Sequence, residues 1–171
     1  IAKLKGDVYI GRADAPTITA KGEEVINEGD LITTAKAAEV LIRFKDNSVI
    51  TLRSDSSMLV KTFQYENKST DSFFTNLIKG GLRSVTGLLG KTRSDGVKFT
   101  TPTATIGIRG TDFEIAILPE DTQDARAGTY NYVHDGKTSL SLDKAETGPT
   151  SIDVKPEETG LALANPRPGE P

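Results

Sequence analysis

Apolar and polar residues alternate along most of the chain with a period of two, the spacing of a half-buried strand. In Val40-Leu41-Ile42-Arg43-Phe44 the residues at 40, 42 and 44 share one face, and after Asp46-Asn47-Ser48 the alternation resumes with Ile50 and Leu52 against Thr51 and Arg53. Asp and Asn tolerate the left-handed backbone of tight turns, so this segment predicts a β-hairpin. A second hairpin is predicted where Tyr130-Asn131-Tyr132-Val133 and Thr138-Ser139-Leu140-Ser141-Leu142 flank His134-Asp135-Gly136-Lys137, with Asp-Gly as the turn pair. Between Gly6 and Asp30, apolar stretches at Val8 to Ile10, at Ile18 and at Val25-Ile26 are broken by Gly11, Pro16, Gly22 and Gly29, which suits short strands. Helical spacing surfaces only from Asp71 to Ile78, where Phe73, Phe74, Leu77 and Ile78 fall at i, i+1, i+4 and i+5. At most one short helix is therefore expected, near 71–78.

Many short strands with turn signals at close intervals predict an all-β fold. A β-sandwich, a partly open barrel and a β-solenoid all meet that pattern. The end of the chain differs: four of the eight prolines (156, 166, 168 and 171) fall in the last sixteen residues. Proline lacks the donor that a sheet ladder needs. The expected division is an all-β domain over 1–155 and a Pro-rich tail or linker over 156–171.

Composition narrows the chemistry. The 171 residues include no Cys, no Trp and one His, His134, so disulfides, thiolate metal sites and multi-histidine centres are excluded. No cofactor or metal site and no catalytic residue is expected. A formal net charge of -3 argues against a nucleic-acid partner. No stretch approaches the roughly 20 apolar residues of a membrane span, and Ile1-Ala2-Lys3-Leu4-Lys5-Gly6 does not resemble a signal peptide. With no initiating Met, the chain is expected to be a mature or trimmed product whose targeting segment lies elsewhere.

Two segments carry identity: Lys79-Gly80-Gly81-Leu82-Arg83-Ser84-Val85-Thr86-Gly87, and Thr100-Thr101-Pro102-Thr103-Ala104-Thr105-Ile106-Gly107-Ile108-Arg109-Gly110-Thr111-Asp112-Phe113-Glu114-Ile115. Together with Gly6-Asp7-Val8-Tyr9-Ile10, Glu28-Gly29-Asp30-Leu31-Ile32-Thr33-Thr34 and the 40–52 hairpin, they resemble the FecR domain family, in order, from about residue 6 to about 142. The resemblance implies an extracytoplasmic, solenoid-like all-β domain of the bacterial envelope, in the periplasm or at the cell surface. Gly80, Gly81, Gly87, Gly107, Gly110, Thr111 and Phe113 are then family-motif structural positions. In the namesake regulators this domain relays the occupancy of an iron-siderophore receptor to a cytoplasmic sigma factor. The chain differs from them in showing no sigma-binding helical segment, no membrane helix and no clear C-terminal receptor-contacting domain.

The residues permit a physical reading beside that resemblance. On a regular strand Phe113 and Ile115 would share the face of Arg109. A bulge near Gly110 would instead place Ile106, Ile108, Phe113 and Ile115 on one buried face, and that bulge is predicted. Arg109 is either a ligand for an anion or partner, or a structural arginine bonded to carbonyls or paired with Asp112; the structural reading is favoured. Gly87-Leu88-Leu89-Gly90-Lys91-Thr92 contains a Gly-Lys-Thr, but position 85 is Val and no following helix is expected, so a phosphate loop is rejected.

Charge is uneven. Residues 79–98 hold Lys79, Arg83, Lys91, Arg93 and Lys98 against Asp95, whereas 112–124 hold Asp112, Glu114, Glu120, Asp121 and Asp124 and no base. Arg83, Arg93, Lys98 and Arg109 are the candidate contacts for a partner, which is expected to be a protein or a cell-wall polymer. Asp112 and Glu114 would point to one side of a strand, as a glycosidase pair might be arranged, but a cleft and a raised pKa would be needed. Asp121-Thr122-Gln123-Asp124 lacks EF-hand spacing, and His134 is expected in an exposed turn. The leading expectation is a non-enzymatic envelope binding or scaffold module. The sensory portion of a FecR-type transmembrane regulator is the alternative, and a carbohydrate-active enzyme is a remote one.

Overall fold

The computed structural model describes residues 1–93, 95–142 and 151–166. Alternation becomes strand almost throughout. The elements in order are β1 (Lys3–Lys5), β2 (Val8–Arg12), β3 (Ala15–Thr19), β4 (Leu31–Thr34), β5 (Glu39–Arg43), β6 (Val49–Leu52), β7 (Ser57–Gln64), β8 (Ser72–Lys79), β9 (Gly81–Val85), α1 (Leu88–Thr92), β10 (Val97–Thr100), β11 (Ala104–Leu118), β12 (Gly128–Leu142), β13 (Ser151–Val154) and β14 (Thr159–Leu163). They join one sheet that curls into an open half-barrel and does not close, so of the three arrangements left open the partly open barrel is the one adopted.

The trunk of the sheet is the antiparallel ribbon of β11 and β12, 15 residues each. Its register shifts between Arg109 and Asp112, where Gly110 takes φ 58° and Gly136, opposite, takes φ 81°. This is the predicted bulge, and it resets the parity as expected: Ile106, Ile108, Phe113 and Ile115 are all buried. The ribbon gathers different neighbours on either side of the bulge. The first half of β11 pairs with β10, followed by β8, β7, β4, β2 and β3; the second half pairs with β9, followed by β6, β5 and β1. On β12, β13 and β14 likewise flank opposite halves.

The two sub-sheets face each other across one core. Phe44, just after β5, lies 4.5 Å from Phe73 on β8 and 5.0 Å from Phe63 on β7, ring centre to ring centre. Phe73 is 6.0 Å from Phe99, and Phe99 is 5.1 Å from Phe113, both edge-on, the geometry that aromatic quadrupoles prefer.

Three local expectations need correction. The 71–78 segment is a strand, with Phe73, Thr75 and Leu77 buried at every second position. The helix is α1, on the Gly-Lys-Thr segment where none was expected. It is set by the 46–48 turn: buried Asp46 accepts the Leu88 N–H at its carbonyl (2.8 Å) and the Ser48 N–H (3.0 Å) and hydroxyl (2.6 Å) at its carboxylate. A Cβ at Gly87 would lie 2.2 Å from the Asp46 carbonyl oxygen, so only glycine permits that approach. The third correction concerns His134-Asp135-Gly136-Lys137, which is no hairpin turn. β12 runs straight through it, because the Asp-Gly pair forms the bulge opposite Gly110.

Val25 and Ile26 lie in a loop. The 40–52 hairpin forms as predicted, with Asn47 at φ 67° in its turn. Near the end of the chain, β14 pairs with β12 and stops before Pro166, while Pro168 and Pro171 lie outside the described residues.

Candidate functional site

On β9 the alternation turns Leu82 and Ser84 inward and leaves Arg83 and Val85 exposed. The register then sets what Arg83 meets: Thr51 on β6 and Glu114 on β11 lie directly opposite, while Asp112 is opposite Val85, one diagonal step away. Arg83 takes Asp112 in a two-point grip, Nε to Oδ1 at 2.9 Å and Nη2 to Oδ2 at 2.7 Å. Arg53, just past β6, runs its stem over Gly81 and ion-pairs with Glu114. The other Glu114 oxygen lies 2.8 Å from Nε2 of His134, whose ring stands edge-on to Tyr132 at 4.7 Å. The outcome is a polar network across β9, β11, β12 and the residue that follows β6, Arg53–Glu114–His134 beside Arg83–Asp112.

The electrostatics agree with that pairing. The hydrogen bond from Arg83 holds the Asp112 carboxyl below its ordinary value, outweighing partial burial, and Asp112 in turn raises the Arg83 guanidinium. At one end of the face lies a groove of about 520 Å³ lined by Lys5, Ala37, Ala38, Glu39, Thr51, Arg53, Ser54 and Arg83.

The residues singled out from the sequence do not form one patch. Arg83 belongs to this face. Arg93 follows α1 and pairs with Asp95 at 2.9 Å. Lys98, on β10, holds its ammonium 5.9 Å above the Phe74 ring. Lys98 is opposite Gly107, so it shares the outer face of the other sub-sheet with exposed Arg109. Arg109 adds positive charge near Asp153, whose carboxyl is lowered first by its hydrogen bond from Lys137, 2.8 Å away. Asp112 therefore pairs with Arg83 and not with Arg109, because β9 brings Arg83 alongside it. His134 is likewise no exposed turn residue; it is half-buried within β12 and bonded to Glu114.

The motif positions serve the frame. A Cβ at Gly80 would meet Ser56 Oγ at 2.1 Å, one at Gly81 would press on the Ile115 carbonyl oxygen at 3.2 Å, and one at Gly107 would meet Ser139 Oγ at 2.6 Å. Thr111 clamps the bulge: its N–H donates to Thr86 Oγ1, the Thr86 hydroxyl donates to the Thr111 carbonyl (2.8 Å), and the Thr111 hydroxyl donates to the Lys137 carbonyl (2.8 Å). Phe113 is fully buried. Sequence reasoning missed Arg53, Lys5 and the Glu114–His134 bond. The one signal available was the shared parity of Thr51 and Arg53 on the outer side of the hairpin.

The fold and face define an all-β domain built on one curled sheet. A family model described as FecR protein matches residues 30–131, and the chain belongs to the FecR family. Two crystal structures of a protein described as a "putative anti-sigma factor" from Parabacteroides distasonis share the fold, with TM-scores of 0.57 and 0.56, 16% sequence identity, and 78% of this chain and 54% of that chain covered in each case. The chain thus spans about half the length of those solved chains, 54%. No curated protein matches it.

Proposed function

We propose that the chain is the extracytoplasmic sensory module of a FecR-type transmembrane signalling regulator, and that it acts by binding another protein, with no catalysis of its own. The family match over residues 30–131 carries the reading, since that span contains β4 through β11, the start of β12, and both arginine–carboxylate pairs of the charged face. The arrangement of Asp112 and Glu114 supports it. A glycosidase acid needs a raised pKa, whereas each carboxylate here is held by an arginine and Asp112 is lowered. Family proteins are regulatory, which favours the sensory role over that of a stand-alone scaffold. Among the described residues no helix is long and apolar enough to cross a membrane.

The test is removal of residues 30–131, in frame, from the native gene product, followed by transcript profiling with and without envelope stimuli such as iron limitation. The expected outcome is loss of stimulus-dependent control of a sigma-factor regulon while the truncated protein is still made. An unchanged response overturns the proposal.

A further inference from the structure

The groove beside the charged network is lined by more cations than acids. Three cations line it, Lys5, Arg53 and Arg83, against one acid, Glu39, with the Thr51 and Ser54 hydroxyls beside them and Ala37 and Ala38 as apolar wall. Arg83 lies opposite Thr51, while the Arg53 N–H donates to the Gly81 carbonyl, so the two arginines sit on a diagonal of neighbouring strands. Arg53 spends Nη2 on Glu114, and Arg83 spends Nε and Nη2 on Asp112. Further N–H donors are thus left on both guanidinium groups. Lys5 stands opposite Glu39 in the β1–β5 ladder, and its ammonium has no ion pair or hydrogen-bond partner among the described residues.

We propose that this groove binds a carboxylate-rich, extended segment of the partner protein. Two observations select that occupant. The groove's arginines hold the carboxylates of Glu114 and Asp112 and still carry spare guanidinium N–H donors next to the Lys5 ammonium, so a further Asp or Glu finds charge-assisted donors there. Lys5 also ends β1, which among the described residues is the end strand of the sheet order and pairs with β5 alone, so its other edge is open to an extended chain. The proposal rests on the protein-binding reading above and names the chemistry of the partner.

Fluorescence anisotropy with a fluorescein-labelled hexaglutamate peptide tests it, with hexalysine and inorganic polyphosphate as comparison probes. Hexaglutamate binds, hexalysine does not, and binding weakens in about 0.5 M salt. Lys5→Glu, at an exposed residue whose loss breaks no ion pair, weakens hexaglutamate by about tenfold or more. Lys61→Glu on β7 changes the net charge equally but lies away from the groove, and leaves binding unchanged. The assignment is overturned if hexaglutamate fails to bind, if the two substitutions weaken it equally, or if polyphosphate competes as strongly as the peptide itself. Each of those results leaves the signalling test of residues 30–131 standing, so the two readings fail separately.

Discussion

The Arg83–Asp112 pair makes acid sensitivity a property of single residues. The folded-state pKa of Asp112 lies below its unfolded value, about 3.9. The pair's contribution is therefore present above that value and is lost as pH falls through the lower folded pKa. Arg83 is nearly half exposed, so the effect is modest and screened by salt. As the pH is taken below about 4, the melting temperature of the wild-type chain should fall more steeply than that of Asp112→Asn. Parallel curves would remove Asp112 from the account. Glu114 is tied differently, bridging Arg53 and His134, so the two acids on one strand face are not interchangeable.

The trunk ribbon shows how an element overrides its local signals. Asp-Gly between alternating segments is a strong hairpin signal, yet β12 passes through it because β11 supplies partners along nearly its whole length. The space around Gly110 is open: an added Cβ would meet nothing closer than Lys91 Cγ at 3.7 Å. Its requirement is the left-handed backbone, which Asn tolerates and Val does not. Gly110→Val should destabilise the chain by about 1 to 3 kcal/mol in denaturant melts, and Gly110→Asn by clearly less. Equal losses would mean that side-chain crowding, and not φ, governs the site. At 71–78 both periods were legible, and burial of Phe73, Thr75 and Leu77 decided for the strand. The five residues of α1 are too few to show a period, and Asp46, on which they dock, lies 42 residues before Leu88 in sequence, so no local pattern announces the helix.

At the scale of the molecule, five phenylalanines run as a spine between the sub-sheets, from Phe44 and Phe63 through Phe73 and Phe99 to Phe113. Phe99 is the link on which both ends depend. Phe99→Ala should cost about 3 to 5 kcal/mol, a large share of the stability of such a domain, and unfolding should stay a single transition because both sub-sheets share the core. Two separate transitions would show that they fold independently. By itself the sequence determined the strand period, the 40–52 hairpin, the bulge at Gly110 with the burial of Phe113, and the family resemblance. These depend on backbone geometry within a few residues, where alternation and glycine conformation are local facts. Only the tertiary structure decided that Arg83 meets Asp112, that Arg53 meets Glu114 and His134, and that Lys5 joins both arginines at one groove. Those partners come from β1, β6, β9, β11 and β12, and their adjacency follows from how two sub-sheets close over a shared core, which no local pattern encodes.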